Sequence, residues 1–183
     1  PHLHAGAPGL RETAQWITRR HPDWAVELGH DLRTRLRRPG ITAEDRARCE
    51  ALFPMLAAAP LGRAGIFSFI MEPDFAPSSR RAALDAIAGA GWKDIPESLA
   101  MVVARGLALP EGAAAADPAV LAVLAAAVRT AQAMPWGKGG EPEVVQALRR
   151  VARADGLPGT LRLDALAALP AGITLGEGEF GLI

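Results

Sequence analysis

The sequence predicts an all-α fold, specifically a HEAT-like α-solenoid of about four to five helical pairs. Three observations lead there. Half of the 183 residues are apolar, yet only 5% are aromatic and Tyr is absent. Ala, Leu and Val therefore carry the apolar share, which leans the composition towards helix formers and away from strand formers. The 15 prolines and 19 glycines suit many short helices, each needing a start and a stop. Third, a pattern of Arg, two residues and a small residue recurs inside amphipathic segments.

That pattern reads Arg11 to Ala14, Arg46 to Cys49, Arg80 to Ala83 and Arg162 to Ala165. The first two steps are 35 and 34 residues, and the last is 82, which is two steps of 41. A degenerate copy without the Arg belongs between them, in the helical stretch 119–133. A two-helix unit of this length cannot bury both apolar faces alone, and stacking on neighbours does so. The spacing drifts and the Tyr of a tetratricopeptide signature is missing, which favours HEAT. A compact, non-repetitive helical bundle is the alternative.

Each period divides into two helices. The first copy has residues 10–20, stopped by His21-Pro22, and then 24–38. In the latter, Trp24, Leu28, Leu32 and Leu36 form one apolar stripe, with Asp23 as an expected N-cap. The second copy has 43–59, started by Thr42 with Glu44 and Asp45 in its first turn and kinked at Pro54, and then 62–71. The third pairs 79–89 with 96–107, and the fourth pairs 118–134 with 142–155. Pro118 and Pro142 sit just inside helix starts, where a missing N–H costs nothing. A fifth begins at 159–169 and lacks its second helix. Three segments result: a flexible 1–9, the helical repeats 10–170, and a Gly-rich tail or truncated repeat 171–183.

Twenty basic and twenty acidic residues cancel, so charge gives no reason to expect nucleic acid or an anionic membrane. The longest uncharged apolar run, Ala119 to Val128, is ten residues, about half of the ~20 that span a bilayer. No transmembrane segment is expected. The chain opens on Pro1, as a processed product or a piece of a longer protein would.

No catalytic, cofactor or metal site is expected. His2 and His4 lack two further ligands, and His21 reads as a helix C-cap. Cys49 takes the small-residue position of the repeat and reads as a buried small hydrophobe. The loop from Met134 to Gly140 has no Ser or Thr after Lys138 and no preceding strand, so it is not a phosphate loop. It reads as a turn whose Trp136 covers the core edge, with partner contact through Trp136 and Lys138 as the functional alternative. Glu111, Asp117, Glu141 and Glu143 lie at helix starts and read as dipole partners. At the carboxyl end Leu163, Leu166 and Leu169 begin a repeat that the tail, with Phe180, Leu182 and Ile183, cannot complete. Leu166 and Phe180 are therefore further candidate partner contacts.

Three phrases carry a family resemblance: Glu12-Thr13-Ala14-Gln15-Trp16-Ile17 leading to Arg20-His21-Pro22-Asp23-Trp24; residues 131–143 around Met134-Pro135-Trp136-Gly137-Lys138-Gly139-Gly140; and Leu157-Pro158-Gly159-Thr160-Leu161-Arg162-Leu163-Asp164-Ala165. Together they resemble the HEAT-repeat region of large exported bacterial proteins labelled membrane-bound dehydrogenases or haem-binding c-type cytochromes. The resemblance covers roughly residues 10–170. It implies a periplasmic or otherwise exported scaffold, with haem on a missing domain or partner and none in this chain, which has no C-x-x-C-H. The expected partners are other protein subunits or missing flanking domains. The expected function is a non-catalytic scaffold within an electron-transfer assembly; the rival is a small enzyme whose site forms only at a subunit interface.

Overall fold

A computed structural model describes residues 23–109, 117–137 and 140–173. Among them there are helices and no strands. In chain order these are α1 (Asp23–Leu36), α2 (Ala43–Glu50), α3 (Phe53–Ala58), a 3-10 turn (Pro60–Gly62), α4 (Arg63–Met71), α5 (Pro77–Ala88), α6 (Leu99–Gly106), α7 (Pro118–Ala133), α8 (Pro142–Arg153) and α9 (Gly159–Ala167). The expected helix 10–20, with Arg11 and Ala14, lies outside the described residues, as do segment 1–9 and most of the tail.

The helices pack in two rows. One runs α1, α4, α6, α8, each against the next; the other runs α2 and α3, then α5, α7 and α9. The most extensive contact joins α5 to α7. One continuous core threads both rows, from Leu28 on α1 to Ala165 on α9. In general terms this arrangement fits an α-solenoid. The core changes character along its length. Phe53 stacks on Phe69 with centroids 4.5 Å apart, and Phe69 meets Phe75 edge-on at 4.9 Å. Beyond α5, small residues such as Ala126, Ala127, Ala131 and Ala147 fill the contacts and let the helix axes come close.

Local chemistry explains the helix boundaries. Thr42 caps α2, its hydroxyl accepting from the Asp45 amide at 3.0 Å. Asp117 caps α7, accepting from the Ala119 amide at 2.8 Å, and Pro118 opens that helix. Residues 43–59 form two helices instead of one kinked helix, because Pro54 lacks the N–H that continues the ladder and opens α3. The helix expected over 96–107 begins at Leu99, after a turn closed by the Leu99 amide on the Pro96 carbonyl at 2.9 Å. Trp24 is 51% exposed and leaves the predicted stripe, of which Leu28, Leu32 and Leu36 are buried, with Ala25 buried beside them. The reason is geometric: every-fourth spacing drifts by about 40° per step at 3.6 residues per turn, so Ala25 shares the face that Trp24 has left.

Polar links run between units. Arg80, on α5, donates to the carbonyls of Glu72 and Pro73 (3.3 and 2.6 Å), just past the end of α4. Arg162, on α9, donates to the Ala152 carbonyl at 2.9 Å in the last turn of α8 and pairs with Asp155. In these two copies the repeated Arg thus reaches back to a preceding helix end, satisfying carbonyls and meeting the negative end of its dipole. Arg46 lines a cavity with Leu36, Arg37 and Arg38 at the end of α1 and makes no such bond there among the described residues. Ser78 and Ser79, in the first turn of α5, both donate to Glu50 at 2.8 Å, tying α2 to α5. The α1 end is fixed by Arg33 on Glu72 and by Arg37 on Glu72 and Asp74.

Two expectations follow. A Cβ built on Gly62 would lie 2.4 Å from the Leu56 carbonyl oxygen, whereas one on Gly29 would meet Gly65 Cα at 3.7 Å. Gly62→Ala should therefore cost about 1–3 kcal/mol, while Gly29→Ala in mid-helix should be neutral or gain up to about 1 kcal/mol. Urea unfolding of the two variants measures both; equal midpoints would contradict the packing. The second concerns pH. The hydrogen bond from Arg37 holds the Asp74 carboxyl below its ordinary value. A lowered native pKa stabilises above the unfolded value and is lost as pH falls through the native one. An NMR titration should therefore find Asp74 ionised below the ordinary carboxylate range of about 3.9, and an ordinary midpoint would contradict the link.

Candidate partner-binding surfaces

The four residues singled out from the sequence fall in different places. Trp136 is half-buried and packs against the core in the α7–α8 turn. Its indole N–H donates to the Ala131 carbonyl at 2.7 Å, in the last turn of α7, so the ring is held and its position is set by the helix. Leu166 is half-buried against the core on α9. Lys138 and Phe180 lie outside the described residues. The turn and the segment after α9 do come together: Gly140 has φ +67°, and a Cβ there would lie 2.4 Å from the Pro170 ring. Only glycine combines that backbone conformation with so close an approach.

The carboxyl-terminal face is narrower than the sequence suggests. Leu163 is 45% exposed, but Leu169, like Leu166, packs against the core. The close packing of α9 on α8 buries Leu161 and Ala165 and draws the flanking leucines in.

Beside Trp136 lies a groove that the sequence did not reveal. It is a cavity of about 410 Å³ between the loop leading into α6 and the α7–α8 turn, with Ile95, Pro96, Pro135 and Trp136 as apolar walls. Asp94, Glu97, Glu141 and Lys93 also line it. The loop is anchored beneath: Trp92 is buried and donates to the Ala57 carbonyl at 2.8 Å. Arg63 stacks 4.6 Å over the Trp92 ring and donates to the Asp94 carbonyl at 3.4 Å. Glu141, read from sequence as a dipole partner, stands at the N-cap of α8 but makes no side-chain capping bond. The signal available in the sequence was the pair of acids, Asp94 and Glu97, flanking Ile95-Pro96; their meeting with Trp136, about forty residues on, is a tertiary fact.

A second cavity, of about 470 Å³, is lined by Arg35, Arg38, Thr42, Asp45, Arg48 and Cys49. Two of its three arginines are matched locally: Arg35 pairs with Asp31, and Arg48 with Glu44 and Asp45. Cys49 is 4% exposed. Burial pushes its thiol up from the ordinary value, against an opposing pull from Arg35. That disfavours the nucleophilic thiolate. No His, Cys, Asp or Glu grouping among the described residues could hold a metal ion, and no described helix is long and apolar enough to cross a membrane.

Compared with known proteins, the chain matches no family model, no curated protein and no solved structure.

The small-residue positions Cys49, Ala83 and Ala165 are all buried, at 4%, 0% and 0% exposure. Cys49 should therefore resist a thiol reagent in the native protein and react on unfolding. Cys49→Leu should overpack, costing roughly 1–3 kcal/mol. Labelling of native Cys49 as fast as that of a free thiol would contradict both.

Proposed function

We propose that the chain is a non-catalytic, HEAT-like helical-repeat scaffold for protein–protein interaction. The single observation that carries this reading is the order of contacts, in which α1, α4, α6 and α8 follow one another in one row, α3, α5, α7 and α9 follow one another in the other, and neighbouring helices of the two rows also pack together. Such an array buries its apolar faces by stacking and leaves loops and turns along its edges for partners. The arginines that reach back to a preceding helix end, Arg80 and Arg162, support a repeated unit, because they perform the same task at matching positions of two copies. The exposed Leu163, at the last described helix, fits an end that continues into further chain or meets another subunit.

The wider setting, a segment or subunit of an exported electron-transfer assembly with haem on another domain or partner, rests on the sequence resemblance. Within it the chain would hold other parts in place.

Native purification of the tagged full-length product tests the reading. The expected result is a species heavier than the product alone, with a partner or flanking domain at fixed stoichiometry and haem absorbance in the same peak. A stoichiometric partner without haem would overturn the cytochrome setting and leave the scaffold. A partner-free monomer would overturn the scaffold.

A further inference from the structure

We propose that the groove beside Trp136 takes a Lys- or Arg-bearing extended segment of a partner protein, with the cation seated against the indole. The inference rests on the scaffold reading and names the chemistry of what the scaffold holds.

Charge pairing marks the groove. Several carboxylates have partners within the fold: Glu72 and Asp74 take Arg33 and Arg37, Asp85 takes Arg129, and Asp155 takes Arg162. Asp94, Glu97 and Glu141 have no such ion pair among the described residues, and all three line one groove. Among the described residues Lys93 is the single cation lining it, so the described lining is acidic while the chain as a whole is neutral. Glu141 is not used to cap α8, and the Asp94 main chain is pinned by Arg63. The carboxylates therefore surround the cavity without being spent on local structure.

The walls give the charge its selectivity. Trp136 is fixed by its bond to Ala131, and a fixed indole offers a cation a face at small ordering cost. Ile95, Pro96 and Pro135 accept the aliphatic stem that Lys and Arg carry behind their charge. About 410 Å³ is room for one or two side chains and falls within the usual range of binding pockets. An acidic peptide or a nucleic acid phosphate would meet like charge.

Acetyl-(Gly-Arg)4-amide is a suitable probe, titrated into the full-length protein by calorimetry with acetyl-(Gly-Glu)4-amide as its opposite. The Arg peptide should bind saturably, more weakly as salt rises, and should shift the Trp136 indole N–H resonance; the Glu peptide should not bind. Trp136→Leu should weaken binding about tenfold, in the range of a partly desolvated cation–π contact. Combined Asp94→Asn, Glu97→Gln and Glu141→Gln should weaken it at least as much and flatten the salt dependence. Glu27→Gln with Asp164→Asn, away from the groove, should leave it unchanged. If circular dichroism shows Trp136→Leu unfolded, the carboxylate variant and the indole shift decide. Absent binding, equal binding of the two peptides, or equal loss in the distant control would overturn the proposal. A native partner retained at full strength by the carboxylate variant would overturn the groove and leave the scaffold standing.

Discussion

The structure depends on the contact between α5 and α7. No helix here can bury its apolar face alone, since α5 carries Ala83, Leu84, Ala86 and Ile87 inward and α7 carries Leu124, Ala126, Ala127, Val128 and Ala131. Joined, they form the most extensive interface of the chain and link the aromatic half of the core to the aliphatic half. Thr130 is fully buried, and its hydroxyl lies 3.0 Å from the Leu84 carbonyl and 2.8 Å from the Ala126 carbonyl. Its single proton serves its own helix and the neighbouring one, which avoids the cost of an unpaired buried hydroxyl. Arg129 closes the solvent side on Asp85 at 2.7 Å.

From that centre the order propagates outward through weaker, more polar links. On one side Glu50 accepts from the first turn of α5, and Arg80 ties α5 to the end of α4. On the other, Arg162 ties α9 to the end of α8. These hydrogen bonds each contribute modestly to stability. Their worth is in register, because each fixes the angle at which one unit meets the next. The same geometry brings the loop before α6 against the α7–α8 turn and so makes the groove beside Trp136. That groove is thus assembled from two successive helical pairs.

Much of the helical architecture was legible in the sequence because it rests on local rules. Thr42 and Asp117 cap as their type dictates, Pro118 and Pro142 open helices, and small residues at Cys49, Ala83 and Ala165 are buried. The misreadings come where local pattern meets packing. Trp24 matched an every-fourth stripe that the true helical period does not keep, and Pro54 divided a helix that apolar spacing had joined. The function of the repeated Arg was invisible because its acceptors are backbone carbonyls, which a sequence does not advertise. The groove was illegible for a similar reason: Glu141 had a bland reading at a helix start, Asp94 and Glu97 drew none, and only the fold brings the three together beside Trp136.

The central claim is that stability spreads from the α5–α7 contact through nearest-neighbour packing. Native-state hydrogen exchange, resolved by amide, tests it most directly, since it measures the opening free energy of each helix separately. The account predicts the slowest exchange in α5 and α7, with protection falling stepwise through α4 and α8 to α1 and α9. Equal protection in every helix, or the slowest amides in α1 or α9, would contradict it.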